Sequence, residues 1–370
     1  MERCTGTNPG PTHTGQVPES LSTEELAELL RRTGLEADLD AVGFASVEPF
    51  TEARTEIERR KAAGLHDGMA FTFKNPSRST TPGDALPDAR TLVVAARSYR
   101  RADVDPDPAR PQGRIARYSW VDHYAPLKEG LGAMASVLKA NGWRTRILAD
   151  DNTLVDRAAA YRAGIGWLGK NANLLLPQRG SWFVLGSVLT DAPLPTNSEL
   201  VADGCGTCVR CIDGCPTGAI VAPGVVEGRR CLAWLAQKPG IFADEFKSAL
   251  GDRIYGCDDC QEVCPPNRSA ERRFVPGAAE PDAQPWTDLL ALATDTDGEI
   301  RSRHGRFYLP ERDPSTLRRN ALVALGNVAS PDDPEVIAVV DGARSHADEG
   351  VRDAATWAYQ RLAERAMTPK

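Results

Sequence analysis

The sequence predicts a mixed α+β chain in three parts: an α/β core over residues 21–195, a cysteine-dense segment over 196–285 and a closing α-helical repeat over 286–370. Three observations carry this division. Strand-like apolar runs alternate with helix-period segments through the first half. Eight of the nine cysteines fall between residues 201 and 267. From about residue 315 the chain turns to short amphipathic helices joined by Pro/Asp turns. With 370 residues, 41% of them hydrophobic, the chain is long enough for two or three domains and has the apolar material for a core.

The elements follow in order. MERCTGTNPGPTHTGQVPES (1–20) lacks the apolar stretch of a signal peptide and is expected to be a disordered leader. Ser22 with Glu25 makes a capping box for the helix ELAELLRRTGL. AVGFASVEPF reads as a strand and TEARTEIERRKAAGL as an amphipathic helix. TLVVAARSY is a buried strand, LKEGLGAMASVLKANG a helix closed by Gly142, and WRTRILA another strand. DRAAAYRAGIGW is a further helix, and SWFVLGSVLTD a strand or half of a hairpin. The segment 201–267 has too little apolar material to hold itself together without metal. LRRNALVALGNVA, PEVIAVVDGARS and EGVRDAATWAYQRLAERA resemble one or two HEAT-type repeats. So few repeats are unstable alone, so they should pack on the body.

Composition excludes some classes. A net charge of −7 argues against a generally basic nucleic-acid binder while leaving room for a local basic face. No apolar run reaches the roughly 18 residues that span a bilayer. An intracellular, reducing location is expected, where cysteines serve as metal ligands more often than as disulfides.

Cys205, Cys208, Cys211 and Cys215-Pro216 form C-x2-C-x2-C-x3-C-P, the bacterial ferredoxin run, whose fourth cysteine ligates the other cluster. Cys231 and then Cys257, Cys260 and Cys264-Pro265 form a second, irregular set. Assigned crosswise, Cys205, Cys208, Cys211 and Cys264 hold one 4Fe–4S cluster, and Cys215, Cys231, Cys257 and Cys260 hold the other. Two structural zinc sites are the plainer alternative for C-x2-C pairs, but three cysteines at successive x2 spacing before C-P are unusual for zinc. Cys4 reads as a spare thiol. Two clusters imply a one-electron relay, and a relay needs a terminus.

Gly164-Ile165-Gly166-Trp167-Leu168-Gly169-Lys170-Asn171 matches G-x-G-x-x-G and nearly matches a Walker A loop, but it closes a helix instead of opening one. Asn171 also stands where the magnesium-binding hydroxyl belongs. Such a glycine-rich exit allows close approach to a large flat ligand, with Lys170, Asn171 and Asn173 as polar contacts, or is a plain helix cap with a surface lysine.

ILADDNTLVDRAAAYRAGIGWLGKNANLL, CGTCVRCIDGCPTGAI and YGCDDCQEVCPPN, with GRIARYSW, CLAWLAQ and RRNALVALGN, resemble the epoxyqueuosine reductase family over residues 36–365. The resemblance implies a cytoplasmic, monomeric enzyme that reduces epoxyqueuosine to queuosine at the tRNA wobble position. It implies a reductive-dehalogenase-like core binding base-off cobalamin, a ferredoxin-like two-cluster domain, and a HEAT-like tRNA-contacting repeat. An external low-potential donor would supply the electrons. A small-molecule corrinoid reductase and a non-catalytic iron–sulfur carrier are the competing classes. None of the five histidines lies in a D-x-H-x-x-G motif, so a histidine-ligated cobalamin is not expected.

By the same resemblance Asp150 is the proton donor, a role that demands a pKa raised above the usual 3.9 or so. Without it, Asp150-Asp151-Asn152 after a strand would read as a helix N-cap. Arg78, Tyr118 and Arg157 match positions near the corrin, and Gly169, Lys170, Asn171, Asn173, Asp258 and Gln261 are expected to contact it. The chain departs from the family pattern at Thr153, where the family has proline, at Asp156, where it has glutamate, and at Ala125, where it has histidine. EIRSRHGRFYLPERDPSTLRRN carries Arg301, Arg303, Arg306, Arg312, Arg318 and Arg319 against three acids, with Phe307 and Tyr308 interleaved. Arginine grips phosphate and aromatics stack on unpaired bases. Arg301, Arg303, Arg306, Arg318, Arg319 and Asn320 are therefore expected to contact tRNA, unless the stretch is a solvated linker.

Overall fold

The computed structural model describes residues 21–197 and 199–367. The expected leader and Cys4 lie outside the described residues. The strands run β1 (Ala41–Ser46), β2 (Thr91–Ser98), β3 (Gln112–Ile115), β4 (Thr145–Leu148), β5 (Trp167–Leu168), β6 (Leu174–Leu175), β7 (Phe183–Thr190), β8 (Ile220–Ala222), β9 (Val225–Val226), β10 (Arg253–Tyr255) and β11 (Trp286–Asp288).

The core sheet has the order β1-β2-β7-β4, and every neighbouring pair in it is antiparallel. Alternation of strands and helices in the sequence is therefore not accompanied by a parallel sheet. The physical reason is visible in β2, which is buried on both faces as a parallel strand would be. Val93 and Ala95 pack with Leu26, Leu30, Leu127, Leu131 and Met134 of the helices Thr23–Glu36 and Tyr124–Ala140. Leu92, Val94 and Ala96 face Leu154, Ala159 and Ala160 on the other side. The Ser22–Glu25 capping box forms as expected, with Ser22 N–H donating to Glu25 at 2.9 Å. Helix Thr51–Ala62 forms but buries no residue, so it lies on the surface.

A second sheet, β10-β3-β11, takes one strand from each of the three parts of the chain. Around it lies the largest apolar cluster. Ile115 and Trp120, Leu232 to Leu250 of the cysteine segment, and Leu317 to Leu325 of the closing helices share one core. The helices Ser315–Val328, Pro334–Ala343 and Glu349–Met367 thus pack on the body, as so short a helical array requires. Among the described residues no helix is long and apolar enough to cross a membrane.

The sheet is uneven along its β4 edge. β4 pairs only with residues 187–190 of β7, whereas β2 pairs with β7 from residue 183 onward. β4 therefore stops short of the start of β7, and the chain leaves the sheet edge at Asp150.

Candidate active site

The segment from Asp150 to Asp156 joins β4 to the helix Asp156–Arg162. Asp150 takes the left-handed conformation with φ 55, a region that aspartate tolerates better than most residues but that still stores strain. The Asp151 side chain accepts from the Thr153 N–H at 2.8 Å, an Asx turn that closes the loop on itself. The helix is capped by Val155 with no side-chain hydrogen bond. Neither aspartate is an N-cap, so the structural reading of Asp150-Asp151-Asn152 fails. Thr153, standing where the family has proline, keeps its N–H in this turn, and its hydroxyl accepts from Arg78 at 3.3 Å.

Three carboxyls of the loop diverge electrostatically. Burial raises the Asp150 pKa, Asp122 and Asp151 add to the rise, and Lys128 opposes it. Asp151 moves the other way: burial is outweighed by hydrogen bonds from Thr153 and by the charges of Arg146 and Arg78. Burial and then the charge of Asp150 push Asp156 up to about 8, against Arg157. One Asp156 oxygen, Oδ1, is buried without any hydrogen-bond partner. Tyr124 is held above its usual range by burial and by both Asp150 and Asp156. Sequence reading treated Asp156 only as a departure and did not find Tyr124 or Lys128. The signal was the spacing of carboxyls within one short loop.

The glycine-rich run forms a hairpin, β5 to β6, after the helix exit. Gly164 has φ 67. A Cβ on Gly166 would lie 2.3 Å from the Leu175 carbonyl oxygen, so these glycines serve strand–strand packing. Arg157 donates to the Ala172 carbonyl and ties this hairpin to the Asp150 loop. Lys170 Nζ donates to the carbonyls of Gly206 at 2.6 Å and Cys208 at 3.0 Å. Asn171 donates to the Cys260 carbonyl at 3.4 Å. Lys170 and Asn171 thus clasp the cysteine segment, one on each run. Gly169 and Asn173 close the hairpin turn between them, the Gly169 N–H donating to the Asn173 carbonyl at 2.8 Å.

Gln261 is likewise engaged. It is buried, and its Nε2 donates to the Tyr99 hydroxyl and to the carbonyl and hydroxyl oxygens of Ser181, each at 3.1 Å. Asp258, pushed up to about 6 by burial against the Arg117 bond and charge, accepts from the Arg117 N–H at 2.8 Å. Both brace the cysteine segment against the core. Tyr118 is half-buried, with its ring 6.1 Å from that of Tyr255.

All eight described cysteines are free, and only Cys264 is fully buried. Their mutual influence falls into two sets. Burial raises the Cys264 thiol to about 11, and the neighbouring like charges are Cys205, Cys211 and Cys208. Cys231 is raised by burial, with Cys215 as its thiol neighbour. Cys257 is raised by burial and also feels Cys231, and Cys260 feels Cys257 and Cys231 most among the thiols, with Cys211 after them. Cys264 is thus drawn to the first run, and Cys215 to the second. Among the described residues no three His, Cys, Asp or Glu are grouped as a single metal ion would require. The Ala219 N–H donates to Cys215 Sγ at 3.2 Å, the kind of bond that sets the potential of an iron–sulfur cluster. The thiol sets therefore fit clusters. Around the Asp150 loop stand an orphaned Asp156 oxygen and the half-buried ring of Tyr118, an acceptor and an apolar face of the kinds an amide-rimmed corrinoid requires.

The arginine-rich stretch is built otherwise. Arg319 is 2% exposed and donates to the carbonyls of Lys238, Gly240 and Leu235. Asn320, wholly buried, donates to the carbonyls of Ala236 and Ile254. Buried Arg318 binds the Asp295 carbonyl and Asp297, and Arg306 binds the carbonyls of Ser119 and Trp120. The expectation that Arg318, Arg319 and Asn320 contact RNA is corrected by their burial; Arg306 is exposed, with its guanidinium turned to these carbonyls. They satisfy loop carbonyls that no sheet or helix would pair. Arg301 and Arg303 stay at the surface, near Asp297 at 3.6 Å and Asp295 at 2.8 Å.

Comparison with known proteins agrees with this geometry. Residues 204–267 match the 4Fe-4S double cluster binding domain. The chain is 32% identical to an epoxyqueuosine reductase of Bacillus cereus over 333 residues, 88% of this chain and 86% of that one. It is 32% identical to that of Bacillus subtilis over 353 residues, 93% and 88% of the two chains. A crystal structure of epoxyqueuosine reductase with an epoxyqueuosine-modified tRNA-Tyr stem loop superposes with a TM-score of 0.83 at 29% identity, covering 93% of this chain and 92% of that one. On this likeness, which spans core, cysteine segment and closing helices alike, the chain belongs to the epoxyqueuosine reductase family.

Proposed function

We propose that this protein reduces epoxyqueuosine to queuosine at the wobble position of tRNA, with two 4Fe–4S clusters relaying electrons from an external low-potential donor to a base-off cobalamin. The observation that carries this reading is Asp150. It is a left-handed aspartate of raised pKa where the chain leaves the sheet edge, in a loop joined through the Arg157 and Lys170 contacts to the glycine-rich hairpin and the cysteine segment.

Converting an epoxide to an alkene takes two electrons and two protons and releases water. A cobalamin bound beside the Asp150 loop would supply a reduced metal centre for this two-electron step. Cys205, Cys208, Cys211 and Cys264 would hold one cluster, and Cys215, Cys231, Cys257 and Cys260 the other. Asp150 holds a proton at its carboxyl for the departing oxygen, a task for which its upward shift is the right sign. Asp156, pushed up to about 8, keeps a proton beside it at neutral pH. Arg78 holds Thr153 and so positions the loop. Tyr118 and Asp258 line the side toward the clusters, and Lys170 with Asn171 fixes the hairpin to both cysteine runs.

The parts of the chain at 21–195, 196–285 and 286–370 act as core, ferredoxin-like domain and HEAT-like repeat, in a cytoplasmic monomer. Of the arginine row, Arg301 and Arg303 are left as candidates for the tRNA. The test is anaerobic: protein reconstituted with iron, sulfide and cobalamin is given reductant and a stem loop carrying epoxyqueuosine. Queuosine in the nucleoside digest is the expected result, and unchanged epoxyqueuosine would overturn the reading.

A further inference from the structure

We infer that Phe71 and Tyr308 form a stacking platform for an unpaired base of the anticodon loop, on segments tied to the Asp150 loop; this rests on the proposed tRNA reading. Both rings are solvent-facing, 43% and 49% exposed. They meet edge to face at 6.0 Å and 84°. Exposed aromatic side chains commonly turn inward on apolar neighbours, yet here each chooses the other across the gap between core and closing segment.

The two sides of the pair are anchored to the reacting loop and the cluster side respectively. Phe71 opens the short helix Phe71–Lys74, which leads directly into Pro76–Thr80. That segment is fastened to the Asp150 loop. The Ser79 hydroxyl donates to the Asn152 carbonyl at 2.6 Å, and the Val155 N–H donates to the Ser79 carbonyl at 3.0 Å. On the other side the Tyr308 N–H donates to the Tyr255 hydroxyl at 2.8 Å. Tyr255 stacks on Phe307 at 4.1 Å and 9°, lies 6.1 Å from Tyr118 and is close enough to Asp150 to feel its charge. Backbone strain flanks both rings: Phe71 has φ 23, and Glu311 and Arg312 have φ 57 and 53.

Charge points to the occupant. Lys74 and Arg78 beside Phe71, and Arg312 beyond Tyr308, are exposed, and none of the three makes an ion pair among the described residues. A pair of exposed rings with Lys74 on one hand and Arg312 on the other suits a polyanion with splayed bases, since base–aromatic stacking needs no sequence match. The buried arginines of the following helix cannot supply these contacts, whereas this exposed pair carries both the aromatic faces and the cations.

The experiment uses the full chain and an anticodon stem loop with 2-aminopurine next to the wobble nucleoside. With wild type, binding should quench the fluorophore. Phe71→Ala and Tyr308→Ala should each weaken binding about tenfold and lose the quench. Tyr308→Phe and Phe71→Tyr should retain both, and hydroxocobalamin uptake should be unchanged in all four. Alanine variants that bind and quench within twofold of wild type would overturn the inference while leaving the function intact. Alanine variants that lose cobalamin but keep the stem loop would assign the pair to the cofactor and overturn it. A wild type that neither binds the stem loop nor converts its epoxyqueuosine would remove the inference together with the reading beneath it.

Discussion

The loop Asp150–Asp156 and the row Arg318–Asn320 are both dense in polar side chains, and they are built in opposite ways. In the row every group has a partner: Arg319 closes three carbonyls, Asn320 two, and Arg318 one carbonyl and one carboxylate. In the loop the backbone is strained at Asp150, one Asp156 oxygen has no partner, and two carboxyls are held above their usual range. Completed hydrogen bonding marks a part that supports the fold, and incompletion marks a part kept ready for something else. Counting charges in the sequence cannot tell these apart.

The largest expected effect is on the supporting side. Arg319→Ala leaves three buried carbonyls without their donor, at roughly 1–3 kcal/mol for each unsatisfied group. Unfolding in urea should show a loss of about 3 kcal/mol or more, with Arg319→Met, which keeps the stem, losing nearly as much. Stem-loop affinity per folded molecule should stay within twofold. A variant with native stability and weakened, less salt-dependent RNA binding would restore the row to the surface and collapse the comparison.

An intermediate effect belongs to Asp156. Its folded pKa of about 8 lies above the roughly 3.9 of an unfolded aspartate, so the native state binds the extra proton between these values. Stability from this group is full below about pH 4 and is lost as pH rises through about 8. Asp156→Asn should flatten that slope, so that its Tm exceeds that of wild type by a margin that grows between pH 4 and pH 8. Parallel Tm–pH curves for the two proteins would show that Asp156 is ionised in the fold. Smallest of all should be Arg301→Ala with Arg303→Ala, exposed ion pairs whose loss changes stability by no more than about 0.5 kcal/mol. A change several times larger in calorimetry would mean that these arginines, too, are part of the framework.

Much of this was legible in the sequence, for reasons that differ by region. The cysteine spacing holds the crossed sets in view because a ferredoxin run fixes its ligands locally, and Cys264 indeed neighbours the first run while Cys215 neighbours the second. The strands and the capping box followed from period and local hydrogen bonding. The antiparallel order of the core sheet did not, because β2 is covered on both faces and carries no alternation to betray it. Nor did the sheet that takes β3, β10 and β11 from distant parts of the chain, since its strands are too short to leave a pattern. Lys170, Asn171 and Gln261 were placed near the site, but their partners are carbonyls and hydroxyls brought in by tertiary folding, which residue type does not announce. The same holds for Arg318, Arg319 and Asn320, where composition suggested a surface and packing made an interior.

The central claim is that the Asp150 loop is kept for chemistry at some cost to its own stability. Its most direct test is a single-turnover measurement on reconstituted Asp150→Asn with the epoxyqueuosine stem loop, paired with its Tm. Queuosine formation should slow by about 100-fold or more, with cluster and cobalamin absorption intact and Tm equal to or above that of wild type. A rate within about threefold of wild type, or a rate lost only in step with a fall in Tm, would contradict that claim.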